Sequence, residues 1–270
     1  MAEPMVRPLL GAALLACLAA AVISAQTVSP AASLADLQAR AAAGDRDAQT
    51  ALGTLYETGD GVPLDPARAA ALYRQAATAG HVGAQTNLAT MYLDGAGVRR
   101  DPAAAVQWLR RAAASGDAFA QLTLGAVLET GDPPVAPDSA QAARLYRQAA
   151  DQGSMAAQFR LAQLYENGVG VRRDLDQAAV WYRKAADRAD PAAQLRLGIL
   201  LGPGNGARTD VVAAHVWLNL SASRWKNEDL RIEAAARRDA LEAHMTPAQI
   251  SEAIRRSIEW QDTVGMQQRR

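Results

Sequence analysis

The stretch AQFRLAQLYENGVGVRRDLDQAAVWYRKAA, residues 157–186, decides how this chain is read. It opens on Ala157-Gln158, carries Leu161 and Tyr165, breaks at Gly168-Val169-Gly170-Val171, and restarts at Asp174 with Ala178, Trp181, Tyr182 and Lys184 behind it. Its landmarks recur along the chain. Glycines fall at 59, 95, 131, 168 and 204, in steps of 36, 36, 37 and 36. Ala48-Gln49 returns as Ala84-Gln85, Ala120-Gln121, Ala157-Gln158 and Ala193-Gln194 with the same steps. Aspartates at 65, 101, 138, 174 and 210 place the one extra residue between Gly131 and Asp138. Three ladders sharing one register shift define a five-unit array, and a period in this range belongs to stacked solenoids.

Each unit reads as two helices. In the first, Ala48, Leu52, Leu55 and Tyr56 lie at i, i+4, i+7 and i+8, one face of a helix. Gly53 sits beside that stripe and lets a second helix approach closely. Gly59-Asp60-Gly61-Val62 ends the helix, because glycine enters the left-handed conformation that helix exits commonly need. Asp65-Pro66 opens the next one: the aspartate caps free amides and proline fits the first turn. That second helix buries Ala69, Leu72, Tyr73, Ala76 and Ala77 and closes at Gly80, with Trp108, Trp181 and Trp217 in place of Leu72 in later units. Local preference and hydrophobic pattern agree at each step.

The pattern Ala-Gln-x-x-Leu-Gly-x-x-Tyr-x-x-Gly-x-Gly-Val, then Asp, Ala, Trp-Tyr, Lys-Ala-Ala and Gly, resembles the Sel1-like repeat, which is similar to the tetratricopeptide repeat. The resemblance spans roughly residues 34–225 and implies an all-α fold, a right-handed α-solenoid of about five Sel1-like two-helix repeats with helical caps. Three departures stand out. Asp132-Pro133-Pro134 replaces Gly-x-Gly in unit three, which predicts a longer, stiffer turn. Unit four ends on Arg188-Ala189 in place of a glycine, and unit five carries Leu218-Asn219-Leu220-Ser221 where Tyr-Arg-Lys-Ala is usual, as expected where it meets a cap.

The ends follow from the same pattern. Leu34 to Gly44 repeats only the second-helix half, so residues 34–47 form a half repeat before units starting near 48, 84, 120, 157 and 193, with the solenoid closing at 228. Asp229 to Met245 reads as a helix, and Thr246-Pro247-Ala248-Gln249 starts another through a capping box. Ile250, Ile254 and Ile258 with Ala253 are expected to be its buried face, so that 229–262 caps the stack and 263–270 is a tail. Ahead of the array, Arg7 precedes an apolar run from Leu9 to Ile23, and Ser24-Ala25 offers a cleavage point: residues 1–25 read as a secretory signal peptide and 26–33 as a linker. The protein is therefore expected in the periplasm or outside the cell, without membrane insertion after cleavage, the alternative being an anchor formed by the uncleaved segment. Leu14-Leu15-Ala16-Cys17 resembles a lipoprotein box, but Leu18 to Ile23 stays apolar where a polar spacer is expected. Cys17 is the only cysteine, so the mature chain stands without disulfides.

Composition narrows the function classes. The chain has 270 residues, 28 Lys+Arg against 28 Asp+Glu, and 50% hydrophobic residues. That is enough apolar content for a core, and the zero net charge removes the electrostatic case for nucleic-acid binding. His81, His215 and His244 match no zinc spacing, and each Gly-x-Gly follows a helix where phosphate loops follow a strand. Glu57, Glu129 and Glu166 repeat at unit spacing and read as a solvated ridge. Some Sel1-like proteins with paired cysteines in each repeat are linked to β-lactam binding or hydrolysis; this chain lacks those pairs, which leaves a hydrolase of that type as the third reading. No catalytic residue, metal or cofactor is expected.

What remains is surface. By similarity to tetratricopeptide repeats, the first helices line a concave groove for a protein partner. Its rows run Thr50, Thr86, Leu122, Phe159, Leu195 and Thr54, Thr90, Ala126, Gln163, Ile199, polar at the amino end and apolar at the carboxyl end. The candidate groove residues are Phe119, Leu122, Phe159, Gln163, Glu166, Leu195 and Ile199; the opposing reading makes the same side chains core between neighbouring units, or covers them with the terminal helices. A basic row, Arg74, Arg110, Arg147 and Arg183 with Arg111 and Lys184, reads as a solvated face or as a site for an acidic polymer. The expectation is a monomeric, non-catalytic interaction scaffold of the bacterial envelope, with a polysaccharide- or peptidoglycan-binding module as the alternative.

Overall fold

A computed structural model describes residues 34–267, so the expected signal peptide, the 26–33 linker and residues 268–270 lie outside the described part. Thirteen α-helices make up the described chain. α1 (Leu34–Ala42) is a single helix, and five hairpins follow: α2 (Arg46–Thr58) with α3 (Pro66–Thr78), α4 (Val82–Asp94) with α5 (Pro102–Ala114), α6 (Ala118–Thr130) with α7 (Ser139–Asp151), α8 (Met155–Asn167) with α9 (Leu175–Ala186), and α10 (Pro191–Leu201) with α11 (Val211–Arg224). α12 (Glu228–Glu242) and α13 (Pro247–Gln267) both pack on α11. From α1 to α12 each helix contacts its sequence neighbours, so the chain is an all-α solenoid. No helix among the described residues is long and apolar enough to cross a membrane.

The three ladders have separate structural causes. Aspartates begin the helices: Asp45, Asp65, Asp101, Asp117, Asp138, Asp174, Asp190 and Asp210 each accept a backbone N–H of the first turn, and at the same place His81 accepts from Ala84 through Nδ1 (2.9 Å) and Ser154 from Ala157. One of the three histidines is thus a helix cap. The Ala-Gln pairs join units. Each alanine is buried without bulk, and each glutamine reaches back to the closing turn of the preceding helix. Gln49 Nε2 donates to the Ala41 carbonyl at 3.1 Å, Gln85 to Ala77 at 3.2 Å, Gln121 to Ala113 at 3.3 Å, Gln158 to Ala150 and Gln194 to Ala186 at 3.2 Å. Each of these carbonyls also accepts the N–H of the residue three on in the closing turn, so the clamp occupies its second lone pair and ties one unit to the next. The first clamp explains α1: a half repeat presents the carbonyl that unit one must hold.

The second glycine of Gly-x-Gly has two reasons to be glycine. Gly97 and Gly170 take φ of +67° and +68°, and a Cβ at either would overlap the first turn of the preceding unit's second helix, at the Pro66 and Ser139 carbonyls. In unit three Asp132 and Val135 close their turn by exchanging backbone hydrogen bonds of 3.0 and 2.7 Å around Pro133-Pro134, while Arg100 pairs with Asp132 from the unit before.

Second helices end on left-handed glycines at 44, 80, 116 and 153, with φ between +87° and +90°; unit four uses Ala189 at φ +69°. A Cβ in that region is strained by about 1–2 kcal/mol. Ala189→Gly is therefore expected to stabilise the protein by about 1 kcal/mol, read as a rise in midpoint in thermal or urea denaturation; an unchanged or lower midpoint would show that the surrounding turn has absorbed the strain.

The terminal helix differs from expectation. Thr246 and Gln249 form the predicted capping box, Thr246 N donating to Gln249 Oε1 at 2.8 Å and Gln249 N to Thr246 Oγ1 at 3.3 Å. Yet Ile254 and Ile258 are 45% and 54% exposed, and Ala253, Ser257 and Val264 are buried with Trp260 half-buried among them. The cause is aromatic. Trp260 meets Trp217 of α11 edge to face at 6.1 Å and lies under the Arg224 guanidinium, and Ala253 lets the helices close. That contact turns the isoleucines outward. With Val264 buried, the helix also continues to Gln267, through residues expected to be tail.

Candidate functional site

Each first helix packs against the second helices before and after it and keeps one face on the surface. Along it the candidate residues separate. Leu122 and Leu195 are only 5% and 6% exposed, so the strip they were expected to form is closed: both side chains belong to the core that runs through the stack. Phe119, Phe159, Gln163, Glu166 and Ile199 are half-buried and form the accessible part. Phe159 lies edge to face on Tyr182 at 5.4 Å, which fixes its ring, and Arg160 donates to Gln163 at 3.3 Å.

The carboxylates of this face are tied down. Tyr73 donates to Glu57 at 2.6 Å, Tyr146 to Glu129 at 2.7 Å and Tyr182 to Glu166 at 2.7 Å, each phenol crossing from the second helix to the end of the first. Burial, aided by the adjoining carboxylate, pushes all three phenols well above the usual tyrosine range, so they remain donors. Arg196 of unit five adds a charged hydrogen bond to Glu166 from across the unit boundary. The ridge is therefore a set of receptors for buried hydroxyls, and only Glu57 is exposed. The signal was present in the sequence as covariation between two rows. Glu57, Leu93, Glu129, Glu166, Gly202 run against Tyr73, Leu109, Tyr146, Tyr182, Leu218: a tyrosine stands wherever there is a carboxylate to receive it. Close packing completes the device, because a Cβ on Gly53 or Gly125 would lie 2.7 Å from the facing tyrosine ring.

On the second helices the basic row, apart from the exposed Arg110, is also structural. The Arg74 guanidinium lies over Tyr92 of the next unit and donates to its hydroxyl at 3.0 Å. Arg147 covers Tyr165 and Trp181, Arg183 covers Trp217, and Arg111 and Lys184 lie over Trp108 and Trp181. Trp181 and Trp217 are buried and their outer faces are met by cations, so these rings do not offer the flat stacking surface that a sugar would use. Among the described residues no cluster of three or more His, Cys, Asp or Glu could hold a metal ion. His215 is buried and bonded through Nε2 to Glu242 at 2.8 Å, tying α11 to α12.

Matched against known families, residues 46–81, 82–117, 118–154, 156–190 and 191–224 each fit the Sel1 repeat. These spans coincide with the five hairpins. Among solved structures, a Sel1 repeat protein from Oxalobacter formigenes is 29% identical with a TM-score of 0.63, over 83% of this chain and 89% of that one. A protective antigen of uropathogenic Escherichia coli displaying an SLR fold is 24% identical (TM-score 0.43; 87% of this chain, 66% of that one). An immunity protein from Pseudomonas aeruginosa is 19% identical (TM-score 0.41; 89% and 84%). No functionally curated protein matches the sequence.

Proposed function

The chain belongs to the Sel1 repeat family, and from that premise we propose that it is a non-catalytic protein-interaction scaffold of the bacterial envelope, exported by residues 1–25 and docking a partner across its first-helix face. One observation carries the reading. The face combines a rigid framework, in which glutamine clamps hold every first helix and Tyr–Glu pairs brace those of units one, three and four, with half-exposed aromatic, polar and aliphatic side chains at Phe119, Phe159, Gln163 and Ile199. Interfaces draw their energy from a few fixed aromatic anchors with a polar rim, and pre-ordered side chains lose little freedom on binding.

The test is cross-linking in intact cells followed by recovery of the protein and its partner from the periplasmic fraction, with the bait beginning near Gln26. Ala126→Arg combined with Gln163→Arg puts two cations on the face without touching the Tyr–Glu pairs. The double variant is expected to retain its melting temperature and lose about tenfold or more of its partner capture, the effect of removing interface complementarity. Unchanged capture by a folded double variant would move the interface elsewhere, and bait found only in the cytoplasm would remove the envelope assignment.

A further inference from the structure

Unit five lacks the pair that completes units one, three and four. Gly202 stands in the glutamate row and Leu218 in the tyrosine row, and Leu218 leans on Gly198 with no hydroxyl to present. In unit two the same rows hold Leu93 and Leu109, which fill the space with methyl groups; Gly202 fills none of it. No sixth unit follows, and α12 crosses the opening. The result is an open cleft of about 230 Å³, floored by Ile199, Leu218 and Leu241 and bordered by Gly202, Arg237 and His244. That volume lies below the roughly 300 Å³ where drug-sized pockets begin. It suits a single side chain.

The chemistry of the border is one-sided. Arg237 meets Glu233 of its own helix through Nε at 2.9 Å and Nη2 at 2.8 Å, an exposed contact of little worth that leaves the other N–H groups of the guanidinium open to a ligand. The His244 ring has no hydrogen-bond or ion-pair partner among the described residues, and no carboxylate lines the cleft. Unit four shows what such a position accepts. There the Glu166 carboxylate sits between the Tyr182 hydroxyl and the guanidinium of Arg196 from the next element along the stack. In unit five the next element is α12, and it supplies Arg237.

We propose that this cleft receives, from a partner polypeptide, one aromatic side chain together with a neighbouring carboxylate, restoring in trans the aromatic–carboxylate pair that unit five lacks. The ring lies against Ile199, Leu218 and Leu241, and the carboxylate takes charged hydrogen bonds from Arg237 with His244 beside it. The inference rests on the scaffold reading and supplies the chemistry of its ligand.

The probe is 3-phenylpropionate, titrated into the full mature chain and followed by methyl and amide NMR, with 3-phenylpropionamide as the uncharged counterpart. The acid is expected to bind with a Kd of about 1 mM, shifting the methyl signals of Ile199, Leu218 and Leu241, and the amide about tenfold more weakly, as loss of a charged hydrogen bond implies. Arg237→Gln should equalise the two ligands. Ala240→Phe, which fills the cleft from an exposed position of α12, should abolish both. Equal affinity of acid and amide for the wild type, or shifts mapping elsewhere, overturns the proposal. Partner capture separates the two readings. If wild type and Ala240→Phe capture the partner equally, the cleft assignment fails and the scaffold stands; if the wild type captures none, the scaffold reading falls and the polypeptide source falls with it.

Discussion

Gly170→Ala is expected to cost about 3–5 kcal/mol and to lower the melting temperature by roughly 10 °C or more, whereas Gly61→Ala costs about 1 kcal/mol. Both glycines occupy the same turn position in their units, and both are left-handed, at φ +68° and +72°. The conformational penalty for a Cβ is therefore shared. The difference lies in what stands outside the turn. Gly61 has nothing within 4 Å because no complete unit precedes it, while a Cβ on Gly170 would collide with the Ser139 carbonyl and the Ala140 amide at the start of α7. Those are backbone atoms inside a helical first turn and cannot rotate away, so relief requires units three and four to separate. Circular dichroism melts of the two variants decide the matter. Similar losses would show that inter-unit contact at this turn carries no energy and would undo the account of how units are spaced.

Gln194→Glu should be nearly as damaging at neutral pH and nearly harmless in acid. The Gln194 side chain is fully buried and donates to the Ala186 carbonyl at 3.2 Å. An ionised carboxylate there turns a donor into a charge aimed at a carbonyl oxygen, with no cation close by in the clamp; a penalty of about 3 kcal/mol or more follows. Protonation restores an O–H donor. The sign follows from linkage: burial raises the folded-state pKa of the new glutamate above its unfolded value near 4.3. The penalty is then complete above the folded pKa, shrinks as pH falls through it, and vanishes below about pH 4. Gln194→Met removes the donor without adding charge and should lose about 1–3 kcal/mol with no pH dependence of its own. Urea midpoints for both variants at pH 4 and pH 7.5 test this. A pH-independent loss in Gln194→Glu would mean that the clamp is hydrated.

Gly170 and Gln194 both stand at positions whose repetition is visible in the sequence, but only some repeated positions reveal their purpose there. The helix starts at Asp65, Asp101 and Asp174, the turns at Gly59 and Gly168 and the buried alanines obey local rules, because caps, left-handed turns and small-residue packing are settled within one unit. The capping box at Thr246 was legible for the same reason. The Ala-Gln ladder was visible as a repeat, but its purpose was hidden: Gln158 bonds to Ala150 in another helix of another unit, and spacing alone does not reveal a partner across a boundary. The row pattern that pairs Glu166 with Tyr182 is present in the sequence, but a carboxylate at repeat spacing resembles a solvated ridge unless the hydroxyl aimed at it is known.

The sequence by itself determined the number of units, their helical content, their register and the membership in the Sel1 repeat family, because each depends on periodicities that survive without knowing any long-range contact. Tertiary structure alone decided burial wherever two elements compete for one surface. Leu122 and Leu195 went into the continuous core that runs through the stacked hairpins, and Ile254 and Ile258 were turned out because Trp260 claimed the face of α11. It also decided that Arg147 and Arg183 spend their charge on aromatic rings of the next unit, and that the gap left by Gly202 opens under α12. The physical reason is common to all of these: a helical pattern fixes which residues share a side, but only the neighbour that arrives on that side determines how far water is excluded from it.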